Sequence, residues 1–201
     1  MALSKKIVIA GAGIGGLCAA LALAKHGFDV AIYEQSSHLG EVGAGIQLSP
    51  NAIHVLQALG IADKVKAKAF RPKSAVMRHY QSGKSYFTVP LEDTATQKYG
   101  ADYLHIHRAD LHLTLFDACQ NLGVSIHLGQ AVESYQHDFQ KLTPQNLTPQ
   151  NLTPQNLTPQ NLTIHLANGE SLEVDVLIGA DGIKSKVQAC MLGQTLSLIH
   201  I

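Results

Sequence analysis

Neither sign of charge is in excess in this chain: among its 201 residues, fifteen lysines and arginines balance fifteen aspartates and glutamates. It therefore offers no basic stripe for nucleic acid and no cationic face for a membrane surface. Cysteine is scarce and odd in number: Cys18, Cys119 and Cys190. Their spacing fits neither a disulfide framework nor a zinc site. Cys18 and Cys119 fall within apolar helical segments, as buried free thiols do, and a reducing cytoplasmic setting is expected. No Ser-His-Asp pattern and no carboxylate pair stands out. His105 and His107 alternate onto one face of a predicted strand. No third ligand accompanies them at a recognisable spacing, so they read as core or surface histidines, and no metal site is expected. The apolar run Ile7 to Ala24 carries no charge, follows Lys5 and Lys6 and imitates a signal peptide or short membrane span. Its four glycines fit neither, and no second apolar span follows.

What is present concentrates between Gly11 and Glu34, GAGIGGLCAALALAKHGFDVAIYE. Lys5 to Ala10 reads as a buried strand, a short β-branched run bounded by glycine. Gly11, Gly13 and Gly16 form G-x-G-x-x-G, followed by a helix of small residues with Ala20 and Leu23 on one face and Gly27 at its end. Asp29 to Glu34 is a second strand that finishes on a carboxylate. Gly11 allows a tight turn, Gly13 a close backbone approach to a pyrophosphate, and Gly16 close packing of helix on sheet. The helix N-terminus offers free N–H groups and a positive dipole end to phosphates. Glu34 lies about 20 residues beyond the glycines, where an acid accepts from ribose hydroxyls. Strand, turn, helix and strand-terminal acid together make this a dinucleotide site.

Further along, Ser49 caps a predicted helix with Pro50 at its first position and Gly60 at its end. The stretch before it, with Gly40, Gly43 and Gly45, reads as a flexible loop whose glycines permit close approach to a flat ligand. Ala75 to Tyr80 and Ser85 to Val89 flank Gly83 as an antiparallel hairpin. A strand at Tyr103 to His107, a helix at Asp110 to Leu122 and strands at Val124 to Leu128 and Ala131 to Asp138 follow. Thr163 to Ala167 and Ser171 to Val174 flank Asn168-Gly169, a strong hairpin signal. Val176 to Ile178 is a buried strand, Gly179 to Gly182 a tight turn, and a helix starts near Ser185.

Between two of those strands, Leu142 to Asn161 is LTPQN four times in tandem, and Leu162-Thr163 begins a fifth copy. Proline every fifth residue forbids a regular helix and spoils a central strand. The units are too short for solenoid turns with a buried face. The segment reads as an expanded loop, extended or disordered. Its four N-L-T triplets match glycosylation acceptors as a by-product of the repeat, and an adhesive role is the minor alternative.

Three stretches together resemble the group A flavoprotein monooxygenases, the family of salicylate hydroxylase and 3-hydroxybenzoate 6-hydroxylase. They are GAGIGGLCAALALAKHGFDVAIYE, EVGAGIQLSPNAIHVLQALGI with the later HIHRADLHLTLFDAC, and VLIGADGIKSKV. The resemblance implies an α/β fold: a Rossmann-like FAD-binding βαβ domain with part of an inserted β-rich substrate domain, truncated. It implies that Gly11, Gly13, Gly16 and Glu34 hold the ADP half of FAD. Arg108, in HRADL, would sit beside the pyrophosphate or ribityl region, where a guanidinium suits the anion. Asp181, in D-G, would belong to a motif linked to FAD and NAD(P)H binding, although Gln188 stands where that pattern usually has an arginine. The implied reaction is hydroxylation of a small aromatic substrate with NAD(P)H and O2. No side chain is assigned a catalytic role, in keeping with chemistry carried by the cofactor.

The same resemblance divides the chain into an FAD-binding core over 1–70, a β-rich substrate-domain segment over 71–102, and a continuation of the FAD-binding domain over 103–190. The repeat insert lies at 142–163, and residues 191–201 are expected to be a non-native tail. Leu196 to Ile201, LSLIHI, reads like a translated transposon-end sequencing adaptor. A gene truncated in sequencing or assembly is therefore expected, and a genomic stop codon directly after Ile201 refutes that. A chain of this extent is expected to expose apolar strand edges, bind FAD weakly or not at all, and hydroxylate nothing. The alternatives are another FAD oxidoreductase (an epoxidase, amine oxidase or reductase) or a non-catalytic FAD-binding fragment.

Overall fold

The computed structural model describes residues 5–39, 44–137 and 162–193. In chain order the elements begin β1 (Lys6–Ala10), α1 (Ile14–Lys25), β2 (Asp29–Glu34), β3 (Gly45–Leu48), α2 (Pro50–Leu59) and α3 (Ala62–Lys66). Next come β4 (Ser74–Arg78), β5 (Ser85–Pro90), α4 (Glu92–Tyr99), β6 (Leu104–His107) and α5 (Arg108–Asn121). The chain continues with β7 (Ser125–Leu128), β8 (Val132–His137), β9 (Leu162–Leu166), β10 (Ser171–Val174), β11 (Val176–Gly179) and α6 (Lys186–Leu192). These elements divide into two compact units, residues 1–38 with 119–201, and residues 39–118.

The first unit holds a four-stranded parallel sheet in the order β11-β1-β2-β7. The apolar run of β1 sits between two partners, with Val8 and Ile9 fully buried, as a strand covered on both faces requires. Helix α1 makes the crossover from β1 to β2 and buries Gly16, Leu17, Ala20 and Leu21. Each large apolar side chain removed from water here contributes roughly 1.5–3 kcal/mol. Strands β8, β9 and β10 form a separate antiparallel sheet. Its Val132, Leu162, Ile164, Leu166 and Val174 share a core with Val8, Ala10 and Tyr33. Tyr33 also stacks on His127 across the β2–β7 pair, ring centroids 4.5 Å apart. The turn at Asn168-Gly169 joins β9 to β10. The LTPQN repeat and the tail from residue 194 lie outside the described residues.

In the second unit β3 pairs with β6 and β4 with β5, both antiparallel. Gly45, expected in a loop, opens β3 opposite His107. The ladder with β6 overrides the weak strand propensity of glycine. Gly40 and Gly43 lie outside the described residues. Helix α2 begins after Ser49 with Pro50 in its first turn and ends at Gly60, and it buries Ile53, Leu56 and Leu59. The Ser49 hydroxyl bonds to the Asn51 side chain and makes no backbone cap.

Two helices in this unit were not anticipated, α3 and α4. A polar cluster ties them together. Lys66 Nζ lies 2.8 Å from Asp102 Oδ2, and Arg71 Nη2 lies 3.3 Å from Asp102 Oδ1. Arg71 also donates to Glu92 O and to Thr96 Oγ1 on α4, both at 3.0 Å. The β4–β5 hairpin is exposed along its whole length. Its register places Ala75 opposite Val89 and Met77 opposite Phe87 on one face, and Val76 opposite Thr88 on the other.

Candidate functional site

The glycine loop leaves β1 at Ala10. Gly11 adopts φ +103°, a conformation only glycine takes without strain, and its N–H donates to Tyr33 O at 2.8 Å. A Cβ at Gly11 would lie 2.3 Å from Ala180 O, and one at Gly16 2.1 Å from Gly11 O. The Ala180 N–H in turn donates to Ala10 O at 2.8 Å. The loop is therefore packed against the turn that carries Asp181. Sequence reading had not brought those two motifs together. The available signal was the small residue at position 180, whose Cβ would lie 3.4 Å from one placed on Gly16.

Gly13 and Gly15 differ from their neighbours. A Cβ at either would meet nothing within 4 Å. Gly13 is the N-cap of α1, in extended conformation, and no side chain caps the helix and no acid stands in its first turn. The first intrahelical bond runs from Leu17 N to Gly13 O at 2.9 Å. The amides before it have no partner within the helix, and they face the helix end where the dipole favours an anion.

Glu34, the last residue of β2, points back to this loop. Its Oε2 accepts from Ala12 N at 2.7 Å and its Oε1 from Ser36 N at 2.8 Å. The uncapped helix start, the open space at two glycines and a carboxylate beside them fit the pyrophosphate and ribose of a dinucleotide. The link to Ala12 was not foreseen, because spacing alone does not show where a carboxylate turns.

Asp181 sits in the same unit with its carboxylate already engaged. Oδ1 accepts from Ser185 Oγ at 2.6 Å, and Oδ2 accepts from Lys186 N at 2.7 Å and Val187 N at 3.1 Å. The side chain thereby fixes the start of α6. A cavity of about 350 Å³ lies against this turn, lined by Asp181, Gly182, Ser185, Gln188 and Met191 among others. Arg108 belongs to the second unit, where it opens α5 and its N–H donates to Ala44 O at 2.9 Å.

On β6, His105 is half-buried and His107 exposed. Among the described residues no group of three or more His, Cys, Asp or Glu could hold a metal ion. Cys119 donates to Leu17 O of α1 at 3.3 Å. Burial first, then the neighbouring Cys18, pushes its thiol up to about 11. All three cysteines are free thiols. No helix among the described residues is long and apolar enough to cross a membrane.

Comparison with known proteins gives this geometry a context. The chain is 33% identical over 196 residues to 6-hydroxynicotinate 3-monooxygenase of Pseudomonas fluorescens, an overlap covering 98% of this chain and 45% of that protein. It is 35% identical over 188 residues to 3-hydroxybenzoate 6-hydroxylase of Polaromonas naphthalenivorans, covering 93% and 42%. Among solved structures, Klebsiella pneumoniae HpxO complexed with FAD and uric acid matches with a TM-score of 0.75 and 27% identity, over 98% of this chain and 43% of that one. The tetrameric form of 2-methyl-3-hydroxypyridine-5-carboxylic acid oxygenase matches with a TM-score of 0.73 and 28% identity, over 94% and 42%. The chain thus spans less than half the length of the relatives it matches. The FAD binding domain family matches residues 4–196. A match of that extent decides membership: this protein belongs to the FAD binding domain family.

Proposed function

We propose that this chain is the FAD-binding half of a monooxygenase that hydroxylates a small aromatic substrate, of hydroxybenzoate or salicylate type, with NAD(P)H and O2. The observation that carries the reading is the uncapped N-terminus of α1, with Gly13 and Gly15 clear of every neighbour and Glu34 beside them. The names of two relatives, a 6-hydroxynicotinate 3-monooxygenase and a 3-hydroxybenzoate 6-hydroxylase, supply the reaction class. FAD, when bound, supplies the redox chemistry with oxygen.

The chain's own residues bind and orient. The α1 amides take the pyrophosphate, and Glu34 accepts from the adenosine ribose. Gly11 and Gly16 hold the loop close to the sheet. The resemblance of HRADL assigns Arg108 to binding the pyrophosphate or ribityl part of FAD, and Asp181 fixes the turn and the start of helix α6. Residues 1–70 and 103–190 form the cofactor domain in this reading, and 71–102 contribute strands to the substrate side. The three free thiols fit a cytoplasmic setting.

The test is titration of the purified chain with FAD, followed by flavin fluorescence, with ADP as competitor. NADH or NADPH oxidation is then measured with and without 3-hydroxybenzoate. Weak saturable binding displaced by ADP, without substrate-dependent oxidation, is expected. Saturable FAD binding that ADP does not displace overturns the cofactor assignment. Substantial hydroxylation by these residues alone overturns the assignment as one half of an enzyme.

A further inference from the structure

Two segments converge on one carboxylate, and a third binds the backbone beside it. The glycine loop reaches it through Ala12 N, 2.7 Å from Glu34 Oε2. The turn after β2 reaches it through Ser36 N, 2.8 Å from Oε1. The segment after β7 is tied to the same two residues by backbone bonds, Gln130 N to Glu34 O and Gly129 N to Ser36 O, both at 2.9 Å. Ala12 precedes the N-cap of α1, so its N–H has no place in the helix ladder. A bond from a backbone N–H to an ionised carboxylate is shorter and stronger than one between neutral groups. The two observed bonds occupy about half of the four acceptor sites of a carboxylate, and the rest remain for hydroxyl donors.

We propose that Glu34 is a positioning residue for the glycine loop in addition to being a ribose acceptor, and that it sets the Ala12 peptide before any nucleotide arrives. The proposal rests on the dinucleotide reading of the site for its purpose, while the latch itself is a property of the free protein. A loop held in its binding conformation has less freedom to lose on association. The chemistry separates this role from ribose binding. Both oxygens accept from N–H groups, so glutamine, whichever way its amide is turned, sets an NH2 against one of them. Aspartate, one methylene shorter, keeps the local bond to Ser36 but does not span to Ala12.

The experiment is amide hydrogen exchange, read by NMR on the nucleotide-free protein, for wild type, Glu34→Gln and Glu34→Asp. With Glu34→Gln, protection at Ala12 or Ser36 is expected to fall about tenfold or more, with Ile9 and Ile32 in the sheet unchanged. With Glu34→Asp, the loss is expected at Ala12 alone. ADP affinity, measured by calorimetry, is expected to fall about tenfold in both. Unchanged exchange at Ala12 and Ser36 in both variants, with ADP binding weakened, reduces Glu34 to a ribose ligand and overturns the proposal. Should Glu34→Gln lose protection in the sheet as well, Glu34→Asp decides: protection at Ala12 equal to wild type overturns the latch. If FAD bound to the wild type is not displaced by ADP, the dinucleotide reading fails, and the exchange data still decide the latch.

Discussion

Replacing Gly11, Gly13 and Gly16 one at a time by alanine separates glycines the chain needs for itself from Gly13, which is left open to a ligand. A methyl at Gly16 lands 2.1 Å from Gly11 O, 3.2 Å from Gly11 C and 3.4 Å from Ala180 Cβ. The closest atoms are backbone and cannot rotate away, so the overpacking cost of about 1–3 kcal/mol applies at its upper end. The gain of alanine over glycine in a helix returns about 1 kcal/mol of this. A net loss of about 2 kcal/mol lowers the melting temperature of a chain this size by about 4–8 °C. Gly11→Ala adds the strain of φ +103° to a contact of 2.3 Å with Ala180 O, and is expected to lose at least as much. Gly13→Ala meets no atom within 4 Å, and its φ of −66° and ψ of 173° suit any residue. It loses only the N-cap preference of glycine over alanine, roughly 0.5 kcal/mol, or about 1–2 °C. Thermal melts followed by circular dichroism without nucleotide read all three. FAD or ADP titration of Gly13→Ala then reads the ligand side, where weakened affinity is expected because the methyl fills the phosphate approach. A Gly13→Ala protein melting as low as Gly16→Ala refutes the reasoning, as does a Gly16→Ala protein melting with the wild type.

Two further outcomes are expected. The Lys66 hydrogen bond, helped by Thr96 and by the charges of Lys66 and Arg71 against a cost of burial, holds the Asp102 carboxyl below the usual carboxylate range. Its stabilisation is therefore complete above the unfolded value near 3.9 and is lost as pH falls through the folded one. Asp102→Asn is expected to melt below wild type at pH 7, with the two converging towards pH 3, and a constant gap across that range counts against the assignment. Cys190 is exposed whereas Cys119 is buried with its thiol pushed up to about 11, so a thiol reagent at pH 8 is expected to label Cys190 in the folded protein and Cys119 only after denaturation. Early labelling of Cys119, read by mass spectrometry of the peptides, contradicts its burial against Leu17.

The parts of the fold that sequence reading recovered are those where one residue type has one structural use. The β1-α1-β2 unit was legible from glycine spacing, α2 from Pro50 and Gly60, and the β9–β10 hairpin from Asn168-Gly169. Helices α3 and α4 were not. α3 has five residues, too few to show a period, and α4, EDTATQKY, buries only Ala95. The contacts that hold α4 come from Arg71 and Asp102, and such partners carry no local signal. β3 was hidden because Gly45 suits a loop as well as a strand, and only its pairing with β6 decides. In the site, the glycines and Glu34 were legible by position. The contact of Gly11 with Ala180, the bond from Ala12 to Glu34 and the capture of Asp181 by α6 were not, since each joins residues whose meeting depends on the folded backbone.

The β8–β9 pairing also has a consequence for the gene. His137 stands opposite Leu162, so the chain leaves the sheet and returns to it at neighbouring points, with the LTPQN copies between them. Each copy is five codons, and its gain or loss by replication slippage keeps the reading frame and moves no paired residue. A change in copy number therefore adds or removes residues in multiples of five between His137 and Leu162.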